Sequence, residues 1–248
     1  MKITVPKLIE KKKNNEKITM LTAYDYTMAK LLDRNDVDML LVGDSVGPIF
    51  SGYENTLPVT VDEILYHTKA VVRGRQNALV VSDMPFLSYQ TSVEDAIKNC
   101  GMMLKIGAEA VKLEGGKEIV KTVQALTSSG IPVVGHIGLT PQFVNILGGY
   151  KVQGKTDESK KNLLESAKAL EKAGVFSIVL ECVPEDFAKE ITESLTIPTI
   201  GIGAGRFCDG QVLVINDIIG LFEGHRPKFV KKYLDLAPLV ERAVKDYV

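Results

Sequence analysis

Cysteine is scarce in this chain, and the little there is has no pattern. Cys100, Cys182 and Cys208 are the only three. They are odd in number and have no CxxC spacing, which argues against a disulfide framework and a structural zinc site and leaves each thiol as a small core residue. Histidine is as sparse: His67, His136 and His225 form no HxxxH or HExxH pair, so a histidine-based zinc centre has no support. Excess charge is missing too. With 30 basic and 31 acidic side chains, a net charge of -1, there is no overall basic field to draw a nucleic acid. The one tight basic cluster, Lys11, Lys12 and Lys13, reads as a solvated helix face rather than a targeting or nucleic-acid signal. No apolar run reaches the length of a membrane span, and MKITVPKLIEKKKNN lacks the apolar core of a signal peptide. A cytoplasmic protein with neither nucleic-acid nor membrane partners is expected.

What the chain does have is alternation. Its 248 residues, 45% hydrophobic and 25% charged, allow a sizeable core, and an α/β barrel commonly takes about 250 residues in one piece. Short Val/Ile/Leu-rich runs recur: ITMLTA from Ile18, MLLVG from Met39, ALVVS from Ala78, AVKLE from Ala110, PVVGHI from Pro132, FSIVLE from Phe176, PTIGIG from Pro198 and QVLVIN from Gln211. Between them lie stretches of helical periodicity, several with proper ends. Thr60 or Asp62 opens one, Ser92 with Asp95 another, and Gly130 and Gly174 stand just past C-termini. Strand, crossover helix and strand give a parallel pair, and eight such strands predict closure into a TIM (β/α)8 barrel. A doubly wound sheet is the structural alternative. One domain is expected over 1–248, with a helix in 1–16 plugging the barrel bottom and helices in 228–248 closing the ring. The pattern lapses after the seventh strand, where IGAGRFCDG is too short and Gly-rich for a helix.

In such a barrel the C-terminal strand ends open on one face, where TIM-barrel enzymes place their chemistry. Asp25 follows the first strand, Asp44 and Ser45 the second and Asp83 the third. Glu114 ends the fourth, His136 lies near the end of the fifth and Glu181 ends the sixth. Lys112 and Glu114, two apart on one strand, point to the same side. Clustered carboxylates repel unless protonated or joined by a cation. Oxygen-only donors favour Mg²⁺, which takes one or two carboxylates plus waters and substrate oxygens. Asp44 and Asp83 are the direct candidates, with Glu114 bound directly or through water. Each residue also has a plainer role. Asp25 and Asp44 could cap helices, Lys112 and Glu114 could form a structural ion pair, His136 could be a satisfied core imidazole, and Glu181 could accept from loop amides. The Gly-rich GIGAG, residues 201–205, is no dinucleotide fingerprint, since Arg206 replaces the third glycine and no helix follows.

These stretches together resemble the ketopantoate hydroxymethyltransferase family. The matching motifs are TAYD at Thr22, VGDS at Val42, TLPVT at Thr56, DMPF at Asp83, VKLEGG at Val111, GHIGLTPQ at Gly135, LECVP at Leu180, and IGIGAG followed by DGQVLV. They run in family order over nearly the whole chain. The resemblance implies transfer of a one-carbon unit from 5,10-methylenetetrahydrofolate to 3-methyl-2-oxobutanoate, giving 2-dehydropantoate for coenzyme A biosynthesis. It implies Mg²⁺ at Asp44, Asp83 and Glu114, the keto acid at Ser45 and Lys112, Glu181 as general base, and a decamer built as a pentamer of dimers. His136 is a candidate for substrate binding or for the outer shell of the metal. Val46 and Pro48 depart from the family pattern and bear on the shape of the loop after Ser45. The competing readings are another metal-dependent carbon–carbon lyase or mutase of the phosphoenolpyruvate mutase and isocitrate lyase type, and a catalytically silent barrel used for binding or assembly.

Overall fold

The computed structural model describes residues 1–221 and 227–248; His225 lies outside them. Eight strands, β1 (Ile18–Thr22), β2 (Met39–Val42), β3 (Leu79–Asp83), β4 (Ala110–Glu114), β5 (Val133–Gly138), β6 (Ser177–Glu181), β7 (Thr199–Ile202) and β8 (Gly210–Leu213), form a closed barrel in sequence order. Every pairing is parallel, including β1 with β8. The helices are α1 (Val5–Lys13), α2 (Tyr26–Asp33), α3 (Val61–Gly74), α4 (Val93–Lys105), α5 (Val120–Ser128), α6 (Val144–Leu147), α7 (Asp157–Lys172), α8 (Glu185–Ser194), α9 (Ile215–Ile218) and α10 (Leu236–Tyr247). Among the described residues no helix stands between β7 and β8, as the short Gly-rich segment foretold.

Helix starts follow local chemistry. Thr60 and Glu63 form a reciprocal capping box at α3, Ser92 accepts from Asp95 N–H at α4, and Asp25 accepts from Met28 N–H at α2. Asp25 is therefore a helix cap, the plainer of its two readings.

Two apolar layers follow from the strand period of two. Outward side chains such as Leu40, Val80, Val111 and Ile178 pack under the helices. Inward ones, among them Met20, Met39, Leu79, Val81, Val134 and Ile200, fill the barrel together with Leu8 of α1. α1 thus plugs the end where the strands begin, and ion pairs hold it there. Lys12 Nζ lies 2.8 Å from Asp209 Oδ2, just before β8, and donates to Thr192 O; Lys11 pairs with Asp38, just before β2. Two of the three clustered lysines are half-buried staples rather than a solvated face, because their partners come from strand starts remote in sequence.

The C-terminal stretch also differs from its pattern. Residues 227–235 are not helical, and α10 buries none of its residues, so it does not close the ring. The backbone around its start is satisfied elsewhere: Tyr233 and Leu234 N–H donate to Ile218 O, Leu236 N–H to Ile219 O and Ala237 N–H to Gly220 O.

Leu8→Ala tests the plug. It is expected to lower unfolding free energy by about 2–4 kcal/mol, the range for a buried leucine that leaves a cavity, as read by urea denaturation. A loss below about 0.5 kcal/mol, the surface range, would show that α1 rests on the barrel without sealing it.

Candidate active site

The inward parity that packs the barrel also aims its chemistry. Asp83 continues the inward row of Leu79 and Val81, Lys112 and Glu114 that of Ala110, His136 that of Val134, and Glu181 that of Val179. Neighbouring strands pair Asp83 with Lys112 and Glu114 with His136. Asp44 and Ser45 arrive from the turn after β2. The turn needs Gly43, since a Cβ there would lie 2.8 Å from Ser45 Oγ and 3.3 Å from Asp83 Oδ2. All seven sequence-derived candidates line one cavity of about 130 Å³, with Leu41, Val179, Ile202 and Val212 as its apolar wall. A larger cleft of about 270 Å³, between the β4 and β5 ends and α7, has Glu118 as its single acid. Chemistry rather than volume marks the barrel mouth.

The groups form a connected chain. Asp44 N–H donates to Asp83 Oδ2 at 2.9 Å. Lys112 Nζ lies 2.8 Å from Asp83 Oδ1, 3.8 Å from Glu114 Oε1 and 3.0 Å from His136 Nδ1. His136 Nδ1 is 3.3 Å from Glu114 Oε1, and its Nε2 is 3.1 Å from Glu181 Oε2. Ser45 Oγ shares a hydrogen bond of 2.9 Å with Tyr24 OH. At Gly138, φ is +96° and a Cβ would collide with the Glu181 carbonyl oxygen, so glycine is what lets β5 approach the end of β6. Cys182, directly after Glu181, takes a left-handed φ of +48°, a strained turn of the kind found at functional sites.

Electrostatically the site is crowded with acid. Burial, with the charges of Asp83 and Glu114, pushes Asp44 well above the usual carboxylate range. Burial also raises Asp83, against the pull of Lys112. Glu114 is lowered: burial opposes its charge, but His136, Lys112 and the Gln142 N–H outweigh it. Lys112 stays an ammonium, its burial overcome by Asp83, Glu114 and Asp44. For His136, burial and Lys112 disfavour charge, and Glu114 and Glu181 overcome them, raising it to about 9. A proton on Nδ1 would have to point toward Glu114 and away from the Lys112 ammonium on the same edge.

A family model described as ketopantoate hydroxymethyltransferase matches residues 2–248. The chain belongs to the ketopantoate hydroxymethyltransferase family. A 3-methyl-2-oxobutanoate hydroxymethyltransferase of Syntrophus aciditrophicus (strain SB) is 59% identical over 248 residues, spanning 100% of this chain and 91% of the relative. One from Syntrophomonas wolfei subsp. wolfei is 56% identical, spanning 99% and 90%. Among solved structures, a phosphonopyruvate hydrolase complexed with oxalate and Mg⁺⁺ superposes with TM-score 0.65 at 11% identity, over 98% of this chain and 85% of that one. A 2,3-dimethylmalate lyase of the PEP mutase/isocitrate lyase superfamily gives 0.59 at 14%, over 100% and 86%. At such identity these two share the fold alone, so the lyase or mutase reading gains nothing beyond it.

The divalent cation implied for this family has to suit the residues present. Among the described residues no group of three His, Cys, Asp or Glu side chains stands ready as a metal cage. The donor chemistry nonetheless fits Mg²⁺. The acids offer only oxygen, two of them resist ionisation, and Asp83 Oδ1 and Glu114 Oε1 are buried without an aligned hydrogen bond. One or two carboxylates suffice when water and substrate complete the shell. Sequence reasoning missed Gln142, Tyr89 and Tyr24, which bind the site residues from behind. Gln142 and Tyr24 lie inside the quoted GHIGLTPQ and TAYD motifs, whereas nothing in the sequence pointed to Tyr89.

Asp44→Asn removes one buried like charge while keeping shape. It is expected to stabilise the metal-free protein by about 1–3 kcal/mol, measured by chemical denaturation in EDTA; a destabilised variant would show that the acids do not strain the fold.

Proposed function

We propose that this protein transfers a hydroxymethyl group from 5,10-methylenetetrahydrofolate to 3-methyl-2-oxobutanoate, forming 2-dehydropantoate. The observation that carries this reading is family membership over residues 2–248 joined to a barrel mouth where Asp44, Ser45, Asp83, Lys112, Glu114, His136 and Glu181 share one cavity. The cavity suits a small branched keto acid, with acids and ammonium on one side and Leu41, Val179, Ile202 and Val212 to receive the alkyl group.

Glu181 is the general base. It removes the C3 proton of the keto acid, with one of its oxygens 3.1 Å from His136 Nε2 and the other left to act. Lys112 and Ser45 bind the oxygens of the keto acid, and the ammonium balances charge that develops on the keto oxygen. Asp44, Asp83 and Glu114 would hold Mg²⁺, which when bound supplies positive charge to stabilise the enolate. The enolate carbon forms a bond to the folate methylene. Overall one water provides the product hydroxyl, both carbon–nitrogen bonds of the methylene bridge break, and tetrahydrofolate leaves with hydrogen on both nitrogens.

Two wider features belong to the same reading. The three cysteines are unpaired, which suits a reducing cytoplasm, and among the described residues no helix is long and apolar enough to cross a membrane. Self-association, a decamer by family resemblance, is supported by Leu239, Val240, Val244 and Tyr247 lying exposed along α10.

The test is hydrogen exchange at C3 of 3-methyl-2-oxobutanoate in D₂O with Mg²⁺. Glu181→Gln is expected to slow exchange by about 10²–10⁴-fold; exchange near the wild-type rate would remove Glu181 as the base. Mg²⁺ with the keto acid should also raise the melting temperature, since a ligand confined to the folded state stabilises it, whereas a silent barrel would not respond.

A further inference from the structure

We infer that Gln142 is a positioning residue that restricts Asp44 and Glu114 to one available oxygen each, and so tunes the site to a small octahedral cation; this rests on the Mg²⁺ reading above. Gln142 lies just after β5, in the turn Pro141–Phe143, and is buried. Its side-chain amide donates to Asp44 Oδ2 and to Met84 O, both at 2.9 Å. Its Oε1 faces Tyr89 OH at 3.1 Å and Gln90 Nε2 at 3.3 Å. Rotating the amide by half a turn would set its oxygen against two acceptors, so the network allows one orientation. The backbone N–H of the same residue donates to Glu114 Oε2 at 2.9 Å. Two acids from different strands therefore each give one oxygen to Gln142.

Tyr89 fixes the other end of this clamp. Its hydroxyl accepts from Glu114 N–H at 3.2 Å and lies 2.7 Å from Glu114 O, bracketing the last residue of β4 where strand pairing with β3 has ended. The hydroxyl has one hydrogen, which serves Glu114 O or Gln142 Oε1, so Tyr89 and Gln142 settle as a unit. Asp83 differs, since both its oxygens face a partner, Oδ2 the Asp44 N–H and Oδ1 the Lys112 ammonium.

With one oxygen of each held by Gln142, Asp44 and Glu114 would each offer a cation a single oxygen. Mg²⁺ demands near-ideal octahedral geometry and retains water, whereas Ca²⁺ accepts six to eight oxygens and bidentate carboxylates. Carboxylates with one oxygen already committed to the protein serve the first ion better than the second. Freeing Asp44 Oδ2 should weaken Mg²⁺ and narrow its advantage over Ca²⁺.

The experiment is calorimetric titration of the metal-free protein with MgCl₂ and, separately, CaCl₂, for wild type and Gln142→Met, which keeps bulk but donates nothing from its side chain. Circular dichroism and the metal-free melting temperature establish that the variant is folded. Gln142→Asn, one methylene shorter, replaces it if it is not. The expected result is an Mg²⁺ Kd raised about 10–100-fold, as for other residues that orient ligands, with a smaller change for Ca²⁺. A folded variant that binds Mg²⁺ as wild type does, or loses both ions equally, overturns the role of Gln142 and leaves the Mg²⁺ reading standing. Wild type that binds neither ion overturns both.

Discussion

A strand that places every second side chain inside a closed barrel cannot choose separately what lies at its floor and at its mouth. Inward rows that begin with Leu79 and Val81, with Ala110, or with Val134 must end inward as well, and here they end in Asp83, in Lys112 and Glu114, and in His136. The apolar layers beneath these groups, sealed by Leu8, exclude water from below. Charges at the mouth therefore meet a medium of lower polarisability than solvent, and each attraction or repulsion among them is strengthened.

The balance within the cluster shows how the protein lives with the arrangement. Four carboxylates, Asp44, Asp83, Glu114 and Glu181, face one ammonium and one imidazole. Hydrogen-bond donors make up part of the difference: Asp44 N–H on Asp83, Gln142 N–H on Glu114, and the Gln142 amide on Asp44. Donors stabilise an anion without adding net charge, so the site stays attractive to a cation. At the opposite end of the barrel the same residue types are fully matched. Asp38 takes Lys11 and the Thr19 N–H, Asp209 takes Lys12 and the Thr199 N–H, and Asp33 accepts three successive N–H groups from Gln76, Asn77 and Ala78. Acids at the bottom hold the fold together; acids at the mouth are left partly unsatisfied, as a binding site requires.

What the sequence revealed and what it hid divide along the range of the forces involved. Strand positions follow from local β-branched runs, and the ends of α2, α3 and α4 from single capping residues, so all were legible. The convergence of the seven site residues followed once eight parallel strands were assumed, because barrel closure converts strand ends into neighbours. Roles set through space were not legible. Lys11 and Lys12 looked like a solvated run because Asp38 and Asp209 are 27 and 197 residues away. Tyr89 and Gln142 meet across 53 residues in loops that carry no periodicity. Residues 227–235 had a helical pattern, yet the segment's N–H groups found carbonyls at the end of α9 instead.

The loop after Ser45 joins local to global constraints. The chain there winds into a wide five-residue turn, Gly47–Ser51, that ends at Gly52 with φ +73°. Proline suits such a turn because its missing N–H falls in the first turn, where no partner is needed. Val46 is buried in the outer core, which ties the start of the turn to the barrel. Two fixed points precede the turn: Asp44, tethered to Asp83 and Gln142, and Val46, held by packing. Ser45 sits between them with its hydroxyl on Tyr24, whose backbone carbonyl in turn lies 2.6 Å from His67 Nδ1. Asp44 and Ser45, the two residues that face the cavity, are thus anchored independently of the turn that follows them.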